Sequence, residues 1–221
     1  MKRINPTVSG KIEIRTEILN QTQESLLHKL SKALIDSSYY LAGGTALALR
    51  LGHRLSKDFD WFIAKVGDPE DLFRTLKSFN ISFSVISVAY ETIYLNIDSI
   101  QVSFIGYDYP LLAQPEKADS KYPFLIAGLD DIACMKISAI ASRGSKKDFV
   151  DLYFLIKEFR PLETYLKLYT KKYWNRDIGH LVKSLVYFKD AELEPELNMV
   201  KSFDWEKMKN DFEKWVKKLA I

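Results

Sequence analysis

The chain has 221 residues, of which 47% are hydrophobic and 13% aromatic, so it contains enough apolar material for one large or two small folded domains. That composition excludes an intrinsically disordered protein. The net charge of +3 permits an anionic partner without requiring one. A single cysteine excludes a disulfide framework and a cysteine-rich metal site. The start of the chain shows no apolar signal segment, and no run approaches the ~18 apolar residues of a membrane helix. The sequence therefore predicts a cytoplasmic protein with no membrane partner.

The first half of the chain shows alternating helical and strand patterns. A short helix is predicted over residues 45–51, with Thr45 as its N-cap and Gly52 as its end. Residues 58–63 alternate as a strand, with Asp58 and Asp60 on one face. The other predicted elements are a helix over 11–36, a helix after Pro69, strands over 81–88, 91–97 and 100–105, and a turn at Asp98 and Ser99.

The second half of the chain is helical from residue 128 onward. One helix ends at Gly144, the next ends before Pro161, and at least three more follow. We therefore predict an α+β domain over residues 1–110, followed by a helical domain over 111–221.

Asp58 and Asp60 lie two residues apart on the predicted strand, which makes their carboxylates neighbours. Two such like charges repel, and a bound cation or open water relieves the repulsion. Hard divalent ions such as Mg²⁺ prefer carboxylate oxygens and take further ligands from substrate phosphates. The pair therefore indicates either a metal site or a solvated face of an edge strand.

The residues around this pair favour the metal site. Gly43 and Gly44 would let the backbone approach a ligand closely, and the helix that follows can receive a phosphate at its N-terminus. Ser56 would offer a hydroxyl to the same anion. In the loop before the strand, Arg54 is a candidate phosphate contact. His53 could act as a base, but a hydrogen-bonding surface residue is the favoured interpretation.

A second candidate group lies on the two helices after residue 128. Lys136 falls at the centre of an otherwise apolar stripe. It either extends its ammonium to water or enters a cleft, where a lysine can bind a phosphate as a point charge. Asp148 has capping-box spacing from Ser145, so a local role competes with a functional one. Asp151 has no such local role, and Lys147 is expected to neutralise it.

A basic and aromatic run follows between residues 165 and 176. It could be a nucleic-acid footprint, because cations neutralise phosphates and aromatic rings stack on bases. Tyrosines at every fourth position are more often one packed helix face, and that interpretation is favoured. The run consists of Tyr165, Lys167, Tyr169, Lys171, Lys172, Tyr173, Trp174 and Arg176.

The segment GGTALALRLGHRLSKDFDWF resembles the first motif of nucleotidyltransferases of the DNA polymerase β superfamily. More narrowly, G-G-T-A-L followed by H-R-x-S-x-D-x-D resembles the AbiEii/AbiGii toxin family. The later motifs of that family, a lysine-bearing helix followed by R-x-K-D and then a further aspartate, are matched with one extra residue after the arginine. The matching residues are Lys136, Arg143, Lys146 or Lys147, Asp148 and Asp151.

The resemblance implies a polymerase β-like core, a mixed sheet flanked by helices, followed by a helical bundle. It implies a Mg²⁺-dependent enzyme that transfers a nucleoside monophosphate from an NTP to an acceptor, with RNA such as tRNA as the expected acceptor. The protein would be the toxin of a toxin–antitoxin or phage-defence pair, with the antitoxin as a separate chain. The implied catalytic residues are Asp58, Asp60, Lys136, Asp148 and Asp151, with Asp58 and Asp60 on the metal and Gly43, Gly44, Thr45, Ser56, Arg54 and Arg143 on the nucleotide.

One position departs from the superfamily pattern. These enzymes usually carry a third acidic residue on a later strand, whereas the corresponding position in SIQVSFIGY holds Ser103. The departure leaves open an alternative, a nucleotide- or RNA-binding module of the same fold that has lost transfer activity.

Overall fold

The computed structural model describes residues 12–119, 121–175 and 177–219. Its centre is a mixed sheet with the strand order β3-β4-β5-β2-β1-β7-β6. β2 runs parallel to β5, β1 runs parallel to β7, and the other neighbours are antiparallel. The strands are β1 Tyr40–Ala42, β2 Phe59–Ile63, β3 Ser84–Ala89, β4 Thr92–Ile97, β5 Ile100–Gly106, β6 Glu116–Lys117 and β7 Leu125–Ile126.

The described helices confirm the predicted order, with strands and helices first and helices alone after residue 128. They are α1 Gln21–Ala33, α2 Gly43–Leu51, α3 Pro69–Ser78, α4 Leu129–Ser142, α5 Lys146–Glu158, α6 Leu162–Tyr173, α7 Gly179–Ser184, α8 Lys189–Glu192 and α9 Trp205–Lys218. Within the described ranges, none of them is long and apolar enough to cross a lipid bilayer.

The helix predicted over residues 11–36 is wrong at its start. Asn20 caps α1 by accepting a hydrogen bond from the Gln23 backbone N–H, and the Gln23 side chain accepts one from the Asn20 N–H. This reciprocal pair satisfies two of the N–H groups that a helix leaves without partners. The described residues before Asn20 are therefore not part of the helix, apart from a short 3₁₀ turn at Thr16–Ile18.

The sheet positions the carboxylates by the alternation of its strands. Phe59 and Trp61 of β2 are fully buried on one face, together with Val102 and Phe104 of β5. Asp60 therefore points to the opposite face, the side on which α2, α4 and α5 pack together. The β4–β5 turn lies at Asp98 and Ser99, as predicted, and both residues have positive φ.

The sheet continues beyond residue 110. β7 pairs with β1, and the Ala127 N–H donates to the Leu41 carbonyl at 2.9 Å. The buried apolar side chains of the strands and the helices form one cluster. The division into 1–110 and 111–221 stays a prediction.

Candidate active site

The Gly43-Gly44 pair places the start of α2 directly against β2. Gly43 has φ +71°, and a Cβ at this position would lie 2.9 Å from Asp60 Oδ2, so a larger residue would be both strained and in contact with the carboxylate. The helix ends at Gly52 as predicted, in the left-handed conformation with φ 60°.

Thr45 is not the N-cap that the sequence predicted, because α2 begins two residues earlier, at Gly43. Its buried hydroxyl donates to the Asp58 carbonyl and lies 2.7 Å from Ser56 Oγ. Thr45 therefore fixes the backbone immediately before β2, and with it the direction in which Asp58 points.

Asp58 and Asp60 line one cavity of about 330 Å³, together with Gly43, Gly44 and Ser56. Both carboxylates are half-buried. Within the described part of the chain, neither makes an ion pair. Burial raises the pKa of Asp60 above its ordinary range, and the Ser103 hydroxyl and the Lys136 ammonium partly oppose that rise.

Ser103 occupies the position where a third carboxylate was expected. Parallel pairing of β2 with β5 sets it directly beside Asp60, and it lines the same cavity. Among residues 12–119, 121–175 and 177–219, no three His, Cys, Asp or Glu side chains come together as a metal site. The open carboxylate set is therefore the pair, and an ion there would take its remaining ligands from water or phosphate.

Asp151 lies outside the cavity lining and is completely buried behind it. Its Oδ1 accepts hydrogen bonds from Arg54 Nε at 2.7 Å and His53 Nε2 at 2.8 Å. Its Oδ2 accepts from Arg54 Nη2 at 2.8 Å and Lys136 Nζ at 2.6 Å. The burial of Asp151 would raise its pKa, but Arg54 and Lys136 outweigh it and hold the pKa well below the usual range.

Asp148 is also fully buried, although it does border the cavity. It accepts from Lys136 Nζ at 2.9 Å and from both Nε and Nη2 of Arg143, at 2.8 and 3.0 Å. Against the effect of burial, these two cations lower the pKa of Asp148. The capping-box interpretation is wrong, because the Ser145 hydroxyl donates to Glu194 and makes no cap on α5.

Two other expectations from the sequence are also wrong, and one of the two alternatives for Lys136 is excluded. The Lys136 ammonium does not reach water, since the residue is 4% exposed and held by two aspartates. His53 is a buried residue instead of a surface one. Lys147 does not neutralise Asp151, because the Asp151 carboxylate is bound by Arg54, Lys136 and His53. Lys147 instead lines the cavity and makes no ion pair inside the described ranges.

Residues 25–218 match the model of a family described as nucleotidyl transferase AbiEii toxin, type IV toxin–antitoxin system. A curated protein of Aquifex aeolicus (strain VF5), the uncharacterized protein aq_aa25, is 42% identical over 210 residues, which cover 88% of this chain and 98% of the relative. The chain belongs to the AbiEii family of nucleotidyltransferase toxins.

Solved structures support the polymerase β-like fold of this AbiEii-family chain. The nucleotidyltransferase toxin MenT4 of Mycobacterium tuberculosis H37Rv aligns with a TM-score of 0.58 at 14% identity, covering 88% of this chain and 84% of that one. A protein of H. pylori assigned to the nucleotidyltransferases aligns with a TM-score of 0.57 at 20% identity, covering 90% and 95%. At such identities the likeness confirms the predicted fold class, and it says nothing about substrates.

The basic and aromatic run of this AbiEii-family member is structural in part. Lys172 is buried and pairs with the buried Asp131 at 2.7 Å, so it cannot bind a nucleic-acid phosphate. Tyr165 and Tyr169 are buried, as the packed-face interpretation predicts. Arg176 lies outside the described residues.

The sequence missed several cavity-lining residues of this AbiEii-family site. Tyr94 of β4 and Gln101 of β5 line the cavity because they lie on the same sheet face as Asp60 and Ser103. The alternation of the two strands carried this signal, and the face could have been assigned once the pairing with β2 was known.

Proposed function

We propose that this protein transfers a nucleoside monophosphate from a Mg²⁺-bound NTP to an RNA acceptor such as tRNA, and that it acts as the toxin beside a separate antitoxin chain. One observation carries the proposal. Asp58 and Asp60 face the same cavity as the Gly43-Gly44 turn and make no ion pair in the described chain. Charges that are left uncompensated in a cavity favour a ligand that compensates them.

The donor set of this cavity fits Mg²⁺. The ion commonly binds one or two carboxylates and completes its octahedron with water and substrate phosphates. The half-buried Asp58 and Asp60 would supply the carboxylate ligands. Burial raises the pKa of Asp60, and a cation bound beside the carboxylate would lower that pKa again. When bound there, the ion would polarise the phosphate at which transfer occurs.

The triphosphate would lie along the start of α2. Gly43 and Gly44 let the backbone approach it, and Ser56 offers a hydroxyl at the cavity wall. Lys147 lines the cavity with no ion pair inside the described ranges, and Arg143 has a side chain that is 57% exposed. These two cations would bind the outer phosphates.

Lys136 would act at the inner end of the triphosphate. Its ammonium has three N–H donors, of which Asp148 and Asp151 take two, and the residue borders the cavity. The acceptor hydroxyl would attack the α-phosphorus as the bond to pyrophosphate breaks, and its proton would pass to a carboxylate of the open pair or to solvent. Asp148 and Asp151 are occupied by cations, which favours a positioning role for both over the direct role that the resemblance implies.

The proposal is tested by incubating the protein with each α-³²P-labelled NTP, Mg²⁺ and total tRNA. We expect label to appear in RNA and to disappear in Asp58→Asn and Asp60→Asn. Asp98→Asn is the matched control, since Asp98 is an exposed carboxylate in a turn at φ 52°, a conformation that asparagine tolerates well. Transfer that survives in both active-site variants would refute the proposal.

The second candidate is a nucleotide- or RNA-binding module without transfer activity, which Ser103 beside Asp60 favours. The same experiment separates the two functions. NTP and Mg²⁺ would then raise the melting temperature, because a ligand that binds the native state stabilises it, while no label would reach RNA.

A further inference from the structure

A second cavity, of about 470 Å³, adjoins the first across α4. Met135 and Ala139 line both cavities, and they lie four residues apart on one face of the helix. A ligand whose reacting end reaches Asp58 and Asp60 could therefore extend past these two side chains into the second cavity. Four of its nine lining residues are tyrosines, namely Tyr107, Tyr109, Tyr169 and Tyr173.

The aromatic wall is held in place by buried contacts. The hydroxyls of Tyr107 and Tyr173 lie 2.5 Å apart, and the ring of Tyr109 lies 4.9 Å from that of Tyr173. Behind them, Lys172 Nζ lies 5.1 Å from the Tyr107 ring centroid and 2.7 Å from Asp131, with both charged side chains fully buried. This buried ion pair ties α6 to α4, so the tyrosines form a preorganised surface.

The chemistry of this cavity suits a nucleobase. Aromatic faces stack on any base, and Ser138, Ser142 and Asn175 supply polar groups for the base edges. Single-stranded RNA exposes its bases for this kind of contact, whereas a paired helix hides them. Tyr109 is 51% exposed, so its ring is available to a base that enters from solvent.

An exposed residue next in the chain to the cavity lining favours a polymer over a free nucleotide. Trp174 lies between Tyr173 and Asn175, both lining residues, and is 78% exposed. Its φ of 48° is the left-handed C-cap conformation with which α6 ends. An exposed aromatic side chain next in the chain to two lining residues offers a second base a surface on which to stack, and a mononucleotide has no second base.

We propose that this tyrosine-walled cavity binds a base near the reacting end of a single-stranded RNA acceptor, next to the nucleotide in the acidic cavity. This inference rests on the proposed function for the identity of the acceptor. To the proposed function it adds the site at which the RNA acceptor binds.

The test measures binding without catalysis. A 5′-fluorescein-labelled octa-adenylate RNA is titrated with the protein in the absence of NTP and metal, and fluorescence anisotropy gives the affinity. Loss of one base–aromatic stack should weaken binding about 5- to 150-fold in Tyr109→Ala and in Trp174→Ala. Tyr109→Phe keeps the ring and should bind like the wild type. Tyr90→Ala is the control, because Tyr90 is 93% exposed in the β3–β4 turn.

Three results would overturn the inference. They are the absence of octamer binding by the wild type, equal affinity in Tyr109→Ala and Tyr90→Ala, and a Tyr109→Ala variant that loses NTP–Mg²⁺ stabilisation but keeps octamer affinity. The last result would assign the cavity to the base of the NTP. If the octamer binds as expected but no label is transferred, the proposed enzyme activity fails and the base site stands.

Discussion

Replacing Asp151 by asparagine should sharply destabilise the protein, because Asp151 is the centre of a buried charge network. The carboxylate is fully buried and accepts two hydrogen bonds from Arg54, one from Lys136 and one from His53. Asparagine has nearly the same shape but no charge. The change therefore leaves the Arg54 and Lys136 cations without their main compensation.

The expected cost follows from this environment. Removing one partner of a buried ion pair typically costs about 3–5 kcal/mol, because the remaining charge stays desolvated. A domain of this size loses roughly 2–4 °C of melting temperature per kcal/mol, so we expect a decrease of about 6–20 °C. The loss is a large fraction of the 5–15 kcal/mol that typically separates folded from unfolded proteins.

Urea denaturation followed by tryptophan fluorescence measures the effect. Asp130→Asn is the matched control, since Asp130 also pairs with an arginine, Arg160, at 2.8 Å, but both side chains are partly exposed. Surface pairs of this kind contribute about 0–1 kcal/mol. If Asp151→Asn costs no more than Asp130→Asn, the reasoning about the network is refuted.

A double variant keeps the test informative if Asp151→Asn fails to fold. Arg54→Met removes one uncompensated cation and retains much of the apolar stem. Asp151→Asn with Arg54→Met should therefore be more stable than Asp151→Asn alone. A double variant that is less stable than the single one would show that a buried cation without its partner is not the cause.

Three further predictions follow from the same contacts. Asp60→Asn should raise the urea midpoint at pH 7. Burial raises the pKa of Asp60, so the ionised carboxylate that is present at pH 7 destabilises the folded state. An unchanged or lower midpoint contradicts this prediction. Burial lowers the pKa of His53 in the folded state. The free energy of unfolding should therefore fall as the pH drops below about 6.5, the pKa of a histidine in the unfolded chain. His53→Gln should make the urea midpoint less dependent on pH between about pH 7.5 and 5.5. Gly44→Ala should cost about 1–3 kcal/mol in urea denaturation, because its Cβ would lie 2.6 Å from Arg54 Nη2; a neutral substitution would show that Arg54 moves freely.

The sequence predicted what depends on local pattern. The alternation of residues 58–63 placed Asp58 and Asp60 on one face. The two glycines lie where the backbone comes close to the Asp60 and Arg54 side chains, and their approach to a ligand stays a prediction. Gly52 and the turn at Asp98 were also predicted correctly, since each is decided by a left-handed conformation of one or two residues.

The sequence could not predict contacts between distant segments. His53 and Arg54 bind Asp151 across 98 and 97 positions of sequence, and no local spacing encodes that meeting. Thr45 has the chemistry of an N-cap, yet its hydroxyl is used by the Asp58 carbonyl of the neighbouring strand. Lys147 looked like the partner of Asp151 by helix spacing, but two cations from other elements, one on α4 and one in the loop before β2, had already satisfied that carboxylate.

The two pairs of aspartates differ in how their charges are compensated, and this difference bears on the reaction. Asp148 and Asp151 are paired with Arg54, Lys136 and Arg143, three cations against two carboxylates, while burial lowers the pKa of His53 and favours its neutral form. This network thus carries one net positive charge along one wall of the cavity. Asp58 and Asp60, in front of it, carry two negative charges with no ion pair in the described part of the chain. An anion alone would be repelled by the front pair, and a cation alone would gain nothing from the network behind it. A metal-bound polyphosphate satisfies both, because its metal meets the open carboxylates while its phosphates meet the fixed positive charge.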